Sequence, residues 1–141
     1  MKFLLDTCVL SEFTRKKPSV NLTEWLAAKD EHTLYLSVLT LGELQQGISK
    51  LTDSKRKLGL QRWLDQDITK RFENRIISID SHIIDHWGRL RGEALQIGKS
   101  FPVIDSLLAA TALTHGMTIV TRNTSDYKDT GISIRNPWDD Y

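Results

Sequence analysis

Cysteine, internal repeats and long apolar runs are scarce or absent in this sequence of 141 residues. Its one cysteine, Cys8, excludes an internal disulfide and a zinc site made of cysteines alone, which is typical of proteins in a reducing compartment. No segment reaches the roughly 18 consecutive apolar residues of a membrane helix, and Asp6 interrupts the first apolar run where a secretory signal would continue. We therefore expect a cytoplasmic protein without a membrane segment, folded as one domain over residues 1–141.

The net charge of +1 is too small to indicate a nucleic-acid partner, but the positive charges are clustered. Basic residues are grouped at Arg15-Lys16-Lys17, at Lys55-Arg56-Lys57 and at Lys70-Arg71. Such runs are commonly solvated faces of helices or loops. The alternative is that they contact phosphate groups beside an acidic centre.

Strand-like and helix-like patterns alternate along the chain. Short apolar runs predict strands at residues 3–5, 34–38, 76–79 and 117–121, with a fifth candidate at 132–134. Apolar residues at helical spacing predict helices at residues 21–29, 39–51 and 54–72, a helix that Asp80 or Ser81 caps and Gly98 ends, and a helix from Pro102 to His115-Gly116. This alternation predicts an α/β fold with a mostly parallel central sheet and helices on both faces.

Four acidic residues follow predicted strands or begin predicted helices. Asp6 ends the first strand, Glu43 lies in the opening turn of the helix after the second, Asp105 lies in the opening turn of the last helix, and Asp126 follows the fourth strand. Parallel sheets collect functional groups outside the carboxyl ends of their strands, so these acids can meet at one edge. Carboxylates in one cleft repel one another unless a cation lies between them, and oxygen ligands suit Mg²⁺ or Mn²⁺. Such an ion activates water for phosphodiester hydrolysis.

Each acid also has a purely structural explanation. Glu43 follows Thr40 by three residues, which is the spacing of a helix capping box. The helix dipole favours an acid such as Asp105 in a first turn, and Asp126 could form a turn. Asp6 could cap the turn that follows it. One shared cation site, by contrast, accounts for all four acids together.

Four segments of the chain resemble the PIN-domain family, and more narrowly its VapC-type toxins from bacterial toxin-antitoxin pairs. They are LDTCVLSE at 5–12, SVLTLGEL at 37–44, PVIDSLLAATA at 102–112 and TRNTSDY at 121–127. Each segment alone is weak, but their order and spacing over nearly the whole chain are specific. The resemblance implies that Asp6, Glu43 and Asp105 are the metal-binding acids, and that Asp126 is a fourth, more peripheral acid.

The same resemblance implies further site residues and partners. Asn123 would line the metal pocket at a position where relatives often carry an acid, and the hydroxyls of Thr7 and Thr121 would lie near the metal-bound water. The implied activity is that of a Mg²⁺- or Mn²⁺-dependent endoribonuclease acting on structured RNA such as tRNA. A homodimer and a small antitoxin that blocks the cleft are implied as partners. The candidate contacts to the RNA backbone are Arg15, Lys16 and Lys17.

Other residues that can carry chemistry have simpler explanations. His82 and His86 are four residues apart on a predicted helix, but no third ligand is near in sequence, so a surface or interhelical role is favoured. Cys8 is favoured as a small packed side chain, because an apolar neighbourhood raises a thiol pKa. Three of the four tryptophans are expected to pack internally, while Trp138 could instead serve a dimer interface.

Other protein classes also place an acid after their first strand. A phosphatase of the haloacid dehalogenase type usually has a second aspartate two residues later, where this chain has Cys8. A receiver-like signalling domain normally has a late lysine after a strand, where this chain has Arg122. The stronger alternative is a PIN-like module that binds RNA or protein without cleaving it. The presence of all four acids favours the nuclease.

Overall fold

A five-stranded parallel sheet forms the centre of the computed structural model, which describes residues 1–128 and 130–139. The strands are β1 (Lys2–Leu5), β2 (Leu34–Ser37), β3 (Ile76–Ile77), β4 (Met117–Val120) and β5 (Ile134–Arg135), and they lie in the order β3-β2-β1-β4-β5. Every neighbouring pair is parallel. The predicted α/β fold is confirmed, although the last strand begins two residues later than the 132–134 candidate.

Seven α-helical segments flank the sheet in the described part of the chain. They are α1 (Thr7–Glu12), α2 (Val20–Ala27), α3 (Val38–Ser49), α4 (Lys55–Arg62), α5 (Thr69–Arg71), α6 (Ser81–Gln96) and α7 (Val103–His115). Short 3₁₀ turns occupy Glu31–Thr33 and Thr124–Tyr127. A helix over 54–72 was predicted, but a π-helical turn, Trp63–Ile68, separates α4 from α5. The apolar spacing indicated a helix and could not reveal the wider turn.

Side chains of β1 alternate between two separate cores because successive residues of a strand point to opposite faces. Phe3 and Leu5 pack in a core with residues of α1, α2 and α3. Leu4 packs on the other face with Leu108 and Ala109 of α7. Helices therefore cover both faces of the sheet, and β1 is buried between them.

The start of α3 differs from the sequence expectation. Ser37 is the N-cap residue, and its hydroxyl accepts the backbone N–H of Leu39 at 3.1 Å. Thr40 lies inside the helix and is fully buried, so the Thr40–Glu43 capping box was a wrong prediction. Glu43 is the sixth helical residue and lies in the second turn rather than the opening turn. Its carboxylate is therefore not needed for capping.

Helix ends elsewhere agree with the predicted signals. Asp80 caps α6 by accepting the N–H of Ile83 at 3.0 Å. Helix α7 ends at Gly116, which has φ +63° and ψ +41°. A residue with a Cβ is strained in this left-handed conformation, which explains why glycine occupies the position.

Arg75 fixes the edge of the sheet where β2 meets β3. Its guanidinium donates hydrogen bonds to the carbonyl oxygens of Glu31, Leu34 and Arg71, and only 13% of its side chain is exposed. Arg75→Ala should lower the free energy of unfolding by about 2 kcal/mol, because buried carbonyls lose a charged donor. Urea denaturation measures this. The control Arg89→Ala removes an exposed helical ion pair and should cost much less stability than Arg75→Ala; equal losses in the two variants would contradict the prediction.

Candidate active site

The sheet topology places the ends of β1 and β4 side by side at its carboxyl edge. From β1 the chain goes to β2 on one side of the sheet, and from β3 it crosses to β4 on the other side. A crevice forms where the strand order reverses in this way, and ligands of open α/β sheets bind there. Asp6 follows β1 at this point, and its N–H donates to the carbonyl oxygen of Val120 at the end of β4, 3.0 Å away.

Asp6 is a buried carboxylate that two donors hold in place. Its Oδ1 accepts the N–H of Thr7 at 2.8 Å, and its Oδ2 accepts the hydroxyl of Thr121 at 2.8 Å. A turn was expected after Asp6, but the residues that follow form helix α1, and Asp6 is its N-cap residue. Asp6 also lies in the crevice. Burial raises the pKa of Asp6, the bonds from Thr121 and Thr7 act in the opposite direction, and the charge of Asp126 raises it further.

Glu43 reaches the same crevice from α3. Its Oε1 accepts the hydroxyl of Thr7 at 2.5 Å, and this contact joins residues 36 positions apart in sequence. Thr7 thus donates to two acids, through its backbone N–H to Asp6 and through its hydroxyl to Glu43. We had expected the hydroxyls of Thr7 and Thr121 near a metal-bound water. In the structure both hydroxyls donate to carboxylates and orient them.

Asp105 lies in the first turn of α7 and has the most perturbed carboxyl group of the four acids. Burial raises its pKa, and the negative charges of Asp126, Asp6 and Glu43 raise it further, to about 6. Because each of these three acids affects Asp105, all three lie within electrostatic reach of it. The structure therefore brings the four predicted acids together.

Asp126 and Asn123 lie in the loop after β4, beside the crevice. Asp126 is exposed in the 3₁₀ turn, and its N–H donates to the carbonyl oxygen of Asn123 at 3.1 Å. The N–H of Asn123 donates to the hydroxyl of Thr121 at 3.0 Å. Asp126 is thus a turn residue as well as a member of the acidic cluster, and the two explanations are compatible.

Tyr127 is a neighbour of the acids that the sequence did not reveal. It is 1% exposed, and in the described part of the chain its hydroxyl makes no hydrogen bond of standard geometry. It nevertheless faces Asp105 closely enough to lower the pKa of that carboxyl. Burial and the charges of Asp6, Asp105 and Asp126 raise the pKa of Tyr127 itself. A tyrosine beside a turn acid has no spacing that distinguishes it from a core aromatic.

The acidic cluster suits a hydrated divalent ion better than a fully protein-bound one. In residues 1–128 and 130–139, no three His, Cys, Asp or Glu side chains are arranged to bind one ion together. Mg²⁺ retains several water molecules and commonly takes only one or two carboxylates directly. The carboxylates of Asp6, Glu43 and Asp126 raise the pKa of Asp105 by repulsion. A hydrated divalent ion between these groups would neutralise that repulsion.

The structural roles expected for several other residues are confirmed. His86 Nδ1 lies 2.7 Å from the hydroxyl of Thr114 and joins α6 to α7, while His82 is exposed. Cys8 is half-buried, and burial raises the pKa of its thiol. Trp25 packs edge-on against Phe3 in the core.

Basic residues border the site on two sides. Arg15, Lys16 and Lys17 are exposed in the turn after α1, the helix that begins with Thr7. On the other side, a groove of about 690 Å³ opens next to Asp126, between the end of α6 and the 3₁₀ turn. Lys99 and Lys128 line this groove. The groove next to Asp126 therefore has cationic side chains in its lining, and the turn after α1 exposes three more to solvent.

The chain belongs to the PIN domain family, whose model matches residues 3–131. It is 34% identical to the toxin FitB of Neisseria gonorrhoeae, over 97% of this chain and 99% of that protein. It is 32% identical to the VapC ribonuclease Y4jK of Sinorhizobium fredii, over 96% and 97% of the respective chains. The crystal structure of FitAcB from Neisseria gonorrhoeae superposes with a TM-score of 0.91 at 34% identity and covers 96% of this chain and 98% of the other.

Protons and a divalent ion should compete for the acidic cluster. The pKa of Asp105 is about 6 in the folded chain against an ordinary 3.8, so between these values the folded state binds more protons than the unfolded state. The raised pKa of Asp105 therefore destabilises the folded state as the pH rises. This destabilisation is absent below pH 3.8, grows between pH 3.8 and about pH 6, and is complete above about pH 6. Mn²⁺ should therefore raise the melting temperature more at about pH 7.5 than at about pH 5.5.

Asp105→Asn and Asp67→Asn test this competition. Without metal at neutral pH, Asp105→Asn should melt above the wild type because one repelling charge is gone, and Mn²⁺ should stabilise it less. Asp67 is exposed on the π-helical turn, so Asp67→Asn should behave like the wild type. An equal response of both variants to Mn²⁺ would remove Asp105 from the metal site.

Proposed function

We propose that this protein is a Mg²⁺- or Mn²⁺-dependent endoribonuclease and the toxin of a toxin-antitoxin pair. The observation that carries the proposal is the electrostatic coupling of Asp6, Glu43 and Asp126 to Asp105 at the carboxyl edge of the sheet. A cation bound between these acids would explain why three negative charges lie close enough to Asp105 to raise its pKa. The sequence identity of 34% to the toxin FitB and of 32% to a VapC ribonuclease supports the toxin and nuclease assignments.

The side chains of this chain have distinct tasks in such a reaction. A divalent ion here would supply a Lewis acid for the phosphate and lower the pKa of a water molecule. Asp6 and Glu43 would hold it with carboxylates already oriented by Thr121 and Thr7. Asp105 and Asp126 would complete the anionic site, directly or through water. Burial of Asp6 limits bulk water at the inner side of the site.

The substrate and partners follow from the surroundings of the acids. A groove of about 690 Å³ with lysines beside Asp126 can receive a nucleic-acid strand, and we propose structured RNA such as tRNA as the substrate. We further propose an antitoxin that covers the cleft, a homodimer, and action in the cytoplasm. In the described part of the chain, no helix is long and apolar enough to cross a membrane.

Cleavage of a small-RNA pool tests the activity directly. Purified protein with Mg²⁺ or Mn²⁺ should produce discrete RNA ends, and a chelator should abolish them. Asp105→Asn should reduce the cleavage rate by about a hundredfold or more, since a ligand at the developing charge is lost, while RNA binding and folding persist. Asp67→Asn is the matched control and should cut at the wild-type rate. Full activity of Asp105→Asn would contradict the site assignment.

The non-catalytic alternative gives a different result in the same experiment. A PIN-like binding module would bind RNA and cut none under any metal. Co-expression with the neighbouring open reading frame, followed by size-exclusion chromatography with light scattering, would show whether a second protein copurifies and whether the chain is dimeric. Metal-dependent cleavage that the copurified protein suppresses would establish the toxin assignment.

The basic turn after α1 gives a separate prediction about RNA binding. Lys16→Glu combined with Lys17→Glu should raise the KM for RNA. It should also reduce the dependence of binding on salt, because a protein with fewer phosphate contacts releases fewer counterions when it binds. Lys55→Glu combined with Arg56→Glu changes the net charge equally on α4 and is the control. An unchanged salt slope in the first pair would remove Lys16 and Lys17 from the RNA-binding surface.

A further inference from the structure

A second buried carboxylate, Glu12, lies outside the acidic cluster and has no part in the chemistry proposed above. It ends α1 and is 6% exposed. Its Oε2 accepts the N–H of Ser19 at 2.9 Å, and its Oε1 lies 3.4 Å from Nη1 of Arg15. Burial alone would raise the pKa of Glu12, but the hydrogen bond from Ser19, the nearby Trp138 indole and the charge of Arg15 hold it below the ordinary value. Glu12 is therefore a buried negative charge whose purpose is not explained by the acidic cluster.

Glu12 and Trp138 meet at the start of α2. The side-chain amide of Asn21 donates to the carbonyl oxygen of Trp138 at 3.0 Å, two residues after the Ser19 N–H that Glu12 accepts. The indole ring is half-buried against the core on this face. Its buried N–H makes no hydrogen bond of standard geometry in the described part of the chain, yet it lies close enough to Glu12 to lower the pKa of that carboxyl. The carboxylate and the indole therefore lie near each other at the start of α2.

Arg122 also contacts Trp138. The guanidinium carbon of Arg122 lies 5.8 Å from the centre of the Trp138 ring, which is a cation–π distance. The residue before it, Thr121, donates to Asp6, and the N–H of Arg122 itself donates to Cys8 at 3.5 Å. The backbone of Arg122 is therefore anchored beside the acidic cluster. Its side chain is exposed and forms no ion pair in the described residues.

We propose that Arg122, held against Trp138, binds an RNA phosphate next to the cleaved one, and that Glu12 is the positioning residue which holds Trp138 and Arg15 for this contact. The proposal rests on the nuclease function proposed above. It defines a basic strip of Arg122, Arg15, Lys16 and Lys17, in which Arg15 contacts the buried carboxylate of Glu12 and Arg122 lies over the Trp138 ring. A planar guanidinium with unpaired donors suits a phosphate in two-point contact.

The strip connects the basic turn after α1 to the acids. Without it, Arg15, Lys16 and Lys17 would be separated from Asp6 by the whole of α1, which spans about 9 Å for six residues. The contacts from Arg15 to Glu12, from Glu12 to Trp138 and from Trp138 to Arg122 cover that separation. A single RNA backbone following the strip would reach the acidic cluster at Arg122.

Arg122→Gln tests the phosphate contact. In the active protein it should raise the KM for RNA about tenfold with little change in kcat, and it should reduce the slope of log Kd against log salt by about 0.7 to 1. Arg122→Lys should recover part of the affinity because it keeps the charge but loses the two-point geometry. Arg56→Gln on α4 is the matched control and should leave both values unchanged. A wild-type KM in Arg122→Gln would overturn the proposal.

Glu12→Gln separates positioning from simple electrostatics, because the two predict opposite signs. The substitution removes one negative charge, so a basic surface acting only by its net charge would bind RNA more tightly. If Glu12 positions Trp138 and Arg15, binding should instead weaken several-fold, with kcat unchanged and the folded state retained in urea denaturation. Tighter or equal binding would overturn the positioning role.

Trp138 variants cover the case in which Glu12→Gln does not fold. Trp138→Leu removes the ring under Arg122 and should raise KM, whereas Trp138→Phe keeps an aromatic face and should restore most of the affinity. Equal KM in both variants would contradict the proposal. Dissociation constants measured with an Asp105→Asn background keep this test independent of turnover: RNA that binds but is not cut would overturn only the nuclease, and wild-type protein that binds no RNA would overturn both.

Discussion

Repulsion between carboxylates at one edge of the sheet is the constraint around which the described structure is arranged. Asp6, Glu43, Asp105 and Asp126 come from four different parts of the chain. Burial and the charges of the other three acids raise the pKa of Asp105 to about 6. Chain folding alone gains nothing from such an arrangement, since dispersing the acids over the surface would cost less. The buried, two-sided core that positions β1 and β4 supplies the stability that holds them together.

Two threonine hydroxyls make this arrangement definite. A carboxylate in a crevice can rotate unless donors fix it, and Thr7 and Thr121 each donate to one of the acids. Thr7 follows Asp6 directly and Thr121 follows β4, so the same strand ends that bring the acids together also bring their donors. Oriented oxygens reduce the reorganisation needed when an ion binds, which is the physical meaning of a preorganised site.

The surface around the acids has an opposite charge pattern. Lysines line the groove beside Asp126, and the basic strip that we propose begins at Arg122, directly after the Thr121 that donates to Asp6. Balanced net charge over the whole sequence concealed this division into an anionic centre and cationic borders. Local potentials, not the total, determine how a polyanion approaches and where its backbone lies.

The sequence by itself determined the α/β class, the order of elements, most helix ends and the four acids, because these depend on short-range spacing, caps and the edge at which parallel strands end. It could not exclude a capping box for Glu43, since a capping box needs only local spacing. The structure excludes it, because Ser37 caps α3 and the carboxylate of Glu43 contacts Thr7 instead. Other neighbours are also remote in sequence. Tyr127 lies beside Asp105, and Trp138 lies near both Glu12 and Arg122. Only packing brings such residues together, and no periodicity records it.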